Sequence, residues 1–119
     1  MINIRDISKP HEQKVAKLVH MVDDYAYKVN NSGAPDFKAG DVKGKYILLE
    51  CKTMKKPQKQ QTIKKEFLTK LSEEAFFKNM DLNGVVINFG DIEGEEYFIL
   101  DEKSFLDMYY AYMLYKEGE

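Results

Sequence analysis

Asp36 follows Pro35 in the turn-rich stretch Ser32-Gly33-Ala34-Pro35-Asp36, and shortly after it the apolar run Tyr46-Ile47-Leu48-Leu49 ends in Glu50-Cys51-Lys52. An acid just past a turn and a Glu-x-Lys closing an apolar strand are the residue types that hold a divalent ion beside a scissile phosphate. Side chains alternate along a strand, so Glu50 and Lys52 share one face while Leu49 and Cys51 share the other, toward the core. Two charges on one face of an apolar strand are costly to bury without partners, and an ion and a phosphate supply them. Asp36 and Glu50 suit Mg²⁺ or Mn²⁺, since Mg²⁺ takes one or two carboxylates besides water and substrate phosphate. Such an ion polarises the phosphate, lowers the pKa of a bound water and stabilises charge on the leaving oxygen. Lys52 would orient the attacking water and neutralise the phosphate. The chemistry these residues point to is metal-assisted phosphodiester hydrolysis.

These groups need a framework of helices and strands. Val15, Leu18, Val19, Val22, Ala26 and Val29 recur at helical spacing and predict a helix over about 9–29, with Ser8 as N-cap and Pro10 in the first turn. Asn30-Asn31-Ser32-Gly33 supplies the stop. A short strand at Asp36–Ala39 and a stronger one at Lys45–Lys52 read as a hairpin turning at Gly40 to Gly44. After Pro57 a helix over about 59–78 would bury Ile63, Phe67, Leu68, Leu71 and Ala75. Val85-Val86-Ile87-Asn88-Phe89 suits a central strand buried on both faces. Tyr97-Phe98-Ile99-Leu100 would be its antiparallel neighbour, and a last helix runs from Asp101 or Ser104 to about Lys116. The expected class is α/β, in the order α-β-β-α-β-β-α, with a mixed central sheet flanked by helices.

At 119 residues the chain makes one domain, 1–119. No run of about 18 apolar residues is present, and the N-terminus lacks the apolar segment of a signal peptide. The single cysteine, Cys51, excludes an internal disulfide and fits a reducing cytoplasm.

Pro35-Asp36 … Glu50-Cys51-Lys52 resembles the PD-(D/E)XK nuclease superfamily, and with the flanks Ser32-Gly33-Ala34 and Leu49 it looks most like the small Holliday-junction resolvases of archaeal and phage type. The resemblance covers roughly residues 8–90. It implies a restriction-endonuclease-like core and a metal-dependent, structure-selective DNA endonuclease. It further implies that the Cys51 carbonyl adds a ligand oxygen, that Glu12 joins the metal site from the first helix, and that Ser32 stands near the scissile phosphate. Glu12 lies on the stripe that carries Val15 and Val19, so the helix turns it inward. His11 beside it reads as an exposed helix residue. Asp41 is an alternative acid should the hairpin take another register. Other nucleases of the superfamily share the site, and a non-catalytic DNA-binding protein on the same fold is the competing class; Asp36, Glu50 and Lys52 together favour the enzyme.

The net charge of −2 hides a strong asymmetry. Seven lysines stand against one acid, Glu66, between Cys51 and Lys70, whereas nine acids stand against two lysines from Asp91 to Glu119. Local potential governs encounter with phosphate. Lys55, Lys56, Lys59, Lys64 and Lys65 are the expected DNA contacts, with Gln60 and Gln61 beside them; phosphate contacts position nucleic acid without reading its sequence. With no helix-turn-helix or zinc finger, recognition is expected by shape, of branched duplex. Between Phe105 and Tyr115 the last helix is apolar or aromatic nearly all round. Such a helix is usually covered on more than one side, and a homodimer would match the near two-fold symmetry of a four-way junction.

Overall fold

The computed structural model describes residues 4–30 and 41–118, with side chains of the first helix described from residue 9 onward. In chain order the elements are α1 (Ile4–His20), β1 (Tyr27–Lys28), β2 (Val42–Lys43), β3 (Ile47–Thr53), α2 (Lys65–Phe77), β4 (Leu82–Asn88), β5 (Tyr97–Leu100) and α3 (Glu102–Glu117). The five strands form one sheet in the order β1-β2-β3-β4-β5. β3 and β4 run parallel, in register from Ile47↔Leu82 to Thr53↔Asn88, and the other neighbours are antiparallel. A parallel pair requires a crossover connection, and α2 supplies it.

Strand alternation sorts the core into two layers. Leu48, Val85 and Ile87 pack with Leu71 and Ala75 of α2 on one face, joined by the half-buried Ile63, Phe67 and Leu68. Leu49 and Val86 pack with Val42 and with Val15 of α1 on the other. Asn83 through Asn88 are all buried, which is the expected double-sided burial of the central strand. The protein is therefore α/β, with a mixed five-stranded sheet between helices.

The first helix departs from its expected span, starting at Ile4 and ending at His20 rather than at Val29. Asp23 stops it: its carboxylate accepts the backbone N–H of Tyr25 (2.9 Å) and of Lys45 (2.8 Å), the competition by which Asp leaves a helix. Those two donors, Lys45 foremost, hold the Asp23 carboxyl below its usual range. Beyond it Tyr25 to Val29 is rich in strand formers, and Tyr27–Lys28 pairs with β2. Of the expected stripe, Val15 and Ala26 are buried, while Val22 is 89% exposed.

β1 adds one strand to the expected order, so the described residues read α-β-β-β-α-β-β-α. The strand expected at 36–39 lies outside the described residues. Within them the hairpin turns later than expected: Gly44 N–H donates to Ile47 O (2.8 Å), and Val42 faces Leu49. The second helix starts at Lys65, six residues late, because residues 54–64 are tied to other elements. Gln58 N–H donates to Phe89 O (2.9 Å), and Lys64 is extended at the N-cap. β5 spans the expected four residues and is antiparallel to β4, as expected.

Candidate active site

β3 ends in Leu49-Glu50-Cys51-Lys52-Thr53, at the carboxyl end of the parallel pair, where open α/β sheets place their ligands. The two faces expected of this strand are both seen. Lys52 lies on the α2 side, where its Nζ donates to Thr62 O (3.1 Å) and stands 5.2 Å above the Phe67 ring. Alternation puts Glu50, half-buried opposite Val85, on that side too. Cys51 packs on the α1 side against the layer of Val15, Leu49 and Val86.

Acids gather around Cys51. Burial first, and then the charges of Asp41, Glu12, Glu50 and Glu96 in that order, push its thiol far above the ordinary cysteine range. Asp41 is fastened most tightly: it is 1% exposed, its N–H donates to Leu49 O (2.7 Å), and its Oδ2 accepts the Cys51 N–H at 2.7 Å. The later hairpin turn delivers Asp41 to this place. Glu12 is inward-facing as expected, with a side chain 14% exposed and 4.0 Å from Lys28 Nζ. It stands in the third turn of α1, on the Cys51 side of the sheet and not with Lys52.

His11 is a correction. Expected on the surface, it is completely buried. Its Nδ1 lies 2.7 Å from Thr53 Oγ1 and its Nε2 2.5 Å from Glu96 Oε1. Glu96 Oε2 also accepts from Lys14 Nζ (2.9 Å) and Asn88 Nδ2 (2.6 Å). Burial alone would raise the Glu96 carboxyl, yet the donors Lys14, Asn88 and His11 outweigh it and hold the group below its usual range. An ionised Glu96 is acceptor only, so Nε2 carries the hydrogen of that contact. Thr53 and Asn88 are register partners at the ends of β3 and β4, and the network therefore clamps α1 across the parallel pair, one residue from Glu12. The i, i+4 spacing of His11 to the buried Val15 already marks an inward position.

Lys55, Lys56, Lys59, Lys64 and Lys65 are all exposed, four in the loop after β3 and the last opening α2. Gly90 makes room for that loop. Its φ is +94°, and a Cβ there would stand 2.3 Å from Lys56 O. Gln60 is exposed, while Gln61 is half-buried.

Ser32 and Asp36 lie outside the described residues. Among the described residues no three His, Cys, Asp or Glu side chains form a group that can hold a metal ion. Also among them, no helix is long and apolar enough to cross a membrane. No family model, no curated protein and no solved structure matches this chain.

Proposed function

We propose that this protein is a metal-dependent, structure-selective DNA endonuclease on a restriction-endonuclease-like core, resembling the Holliday-junction resolvases. The observation that carries the reading is the carboxyl end of β3: Glu50 and Lys52 share one side of the strand, and Asp41 is fastened to the Cys51 N–H on the other.

The donor chemistry fits a hard divalent ion such as Mg²⁺ or Mn²⁺. By the resemblance, Glu50, the Cys51 carbonyl and Asp36 would hold it, while Glu12 and Asp41 stand on the Cys51 side of the strand. Bound there, the ion supplies Lewis-acid activation of the phosphate and of water. Lys52 brings a positive charge to the phosphate from the α2 side, and the Phe67 ring and Thr62 carbonyl set its direction. Lys55, Lys56, Lys59, Lys64 and Lys65 extend that charge along the surface, where they bind DNA backbone without reading sequence. His11 and Glu96 take no part in bond breaking; they fix α1 and thereby Glu12. A homodimer in the cytoplasm, acting on branched duplex with two matched sites, completes the reading.

A restriction-type or repair nuclease would use the same residues, and a protein that binds DNA without cutting it would keep the lysines alone. Metal titration separates the last class from the others. Millimolar Mg²⁺ or Mn²⁺ should raise the melting temperature of the protein, and Glu50→Ala should abolish the rise. No shift with either ion would count against a built metal site.

A further inference from the structure

Burial along α3 contradicts the covering expected for an apolar helix. Ser104 is its one buried residue. The nine large apolar or aromatic side chains from Phe105 to Tyr115 are each 38–67% exposed. The helix is held at its first turn, where Asp101 caps it by accepting the Ser104 N–H (3.0 Å) and Ser104 Oγ accepts the Asn83 N–H (3.0 Å). Its charges sit at the ends, Lys103 with Asp107 at one and Lys116 with Glu117 at the other, and residues 108–115 carry none. Phe105, Tyr109 and Tyr112 recur at i, i+4, i+7, as do Leu106, Tyr110 and Met113, the spacing by which a helix anchors in a groove.

The same chain offers such a groove. A cavity of about 840 Å³ opens between α1, the sheet and the start of α3. Leu18, Val22, Ile47, Leu82, Phe98 and Met108 are among its walls. Met108 belongs to α3, so the uncovered helix and the uncovered groove are continuous on one surface.

We infer that α3 of a second copy of this chain occupies the groove, each protomer lending its helix to the other. Three observations commit the groove to this occupant. Helix and groove adjoin at Met108, so a two-fold axis beside that residue fills both grooves at once and closes the assembly at two. Apolar side chains predominate on both surfaces, as in the core of a homodimer interface, with Lys14, Asp23, Glu93, Glu95 and Glu96 also lining the groove. The area is also sufficient. A fully buried aromatic covers about 150–250 Å², and five half-exposed rings on α3 offer about 500 Å² before the groove walls are added. Together they approach the roughly 800 Å² per partner of a stable interface.

This arrangement deepens the homodimer part of the proposed function and rests on it, and its test uses neither DNA nor metal. The full chain should sediment as a dimer at micromolar concentration. Tyr110→Glu on α3 and, separately, Val22→Glu in the groove should each weaken dimerisation by about thirtyfold or more, with unchanged far-ultraviolet circular dichroism. Should either variant fail to fold, cross-linking decides. Val22→Cys and Tyr110→Cys, made singly and mixed with a short bis-maleimide, should yield a covalent dimer holding one of each, in excess of what either gives alone. Both are made on a Cys51→Ser background, so the native thiol does not compete. A monomer at all concentrations, or Tyr110→Cys linking only to itself, would overturn the exchange. The second of these outcomes leaves the homodimer standing and removes only the groove, and neither touches the nuclease reading.

Discussion

His11 Nε2 and Glu96 Oε1 stand 2.5 Å apart, on side chains that are 0% and 1% exposed. The pair joins α1 to the segment leading into β5 across 85 residues of chain. Removing either partner strands a buried polar group, which costs about 1–3 kcal/mol beyond the lost packing. His11→Ala should therefore destabilise the fold by about 3 kcal/mol in denaturant unfolding. A double-mutant cycle with Glu96→Gln should return a coupling of about 1–3 kcal/mol; additivity would show that the pair is not formed in solution.

Glu96 also sets an acid limit. Its carboxyl is held below the usual range by Lys14, Asn88 and His11 against the opposing effect of burial. A group depressed in the folded state contributes stability above its unfolded pKa, about 4.3, and loses it as pH falls through the folded value. Stability should decline between about pH 5 and 3, and less steeply in Glu96→Gln than in the parent. Parallel curves for the two proteins would contradict this role.

Gly90 offers a backbone test. At φ +94°, with Lys56 O 2.3 Å from the place of a Cβ, Ala cannot enter without moving the lysine loop. Gly90→Ala should lower stability by about 2 kcal/mol or more and raise protease sensitivity near Lys56. An unchanged melting temperature would mean that the loop is not packed on β4 as described.

The lysine surface should behave as a phosphate-binding face. Replacing Lys55, Lys56 and Lys59 by Ala should weaken DNA binding for all sequences. It should also flatten the salt dependence by about 0.9 in log–log slope for each phosphate contact removed. Unchanged affinity would move DNA to another surface.

What could be read before the structure, and what could not, follows from the range of the forces involved. β5 and the Val85–Asn88 part of β4 were legible because their apolar runs admit little but strands, though β4 already begins at Leu82, through Asn83 and Gly84; the two faces of β3 follow from alternation alone. The end of α1 was not legible, because the apolar spacing continues through Val22, Ala26 and Val29 while Asp23 breaks the helix by bonding to Lys45, 22 residues away. The start of α2 was lost in the same way, to long-range ties of Gln58 and Lys52. His11 and Glu96 carry no local signal of partnership; tertiary packing alone brings them together. Asp41 was visible as an alternative acid, and the hairpin register, which shifts whole side-chain sets between faces, decided its place beside Cys51. The exposure of α3 ran against its composition, since an apolar helix says that it must be covered and not by what.

The central claim meets its most direct test in a cleavage assay on an end-labelled four-way DNA junction with Mg²⁺, beside a linear duplex of the same sequence and a Glu50→Ala control. The account predicts paired, symmetric nicks in the junction that need the metal and disappear in Glu50→Ala. Tight binding with no metal-dependent cutting of either DNA would contradict it, leaving a protein that holds nucleic acid on its lysines without hydrolysing it.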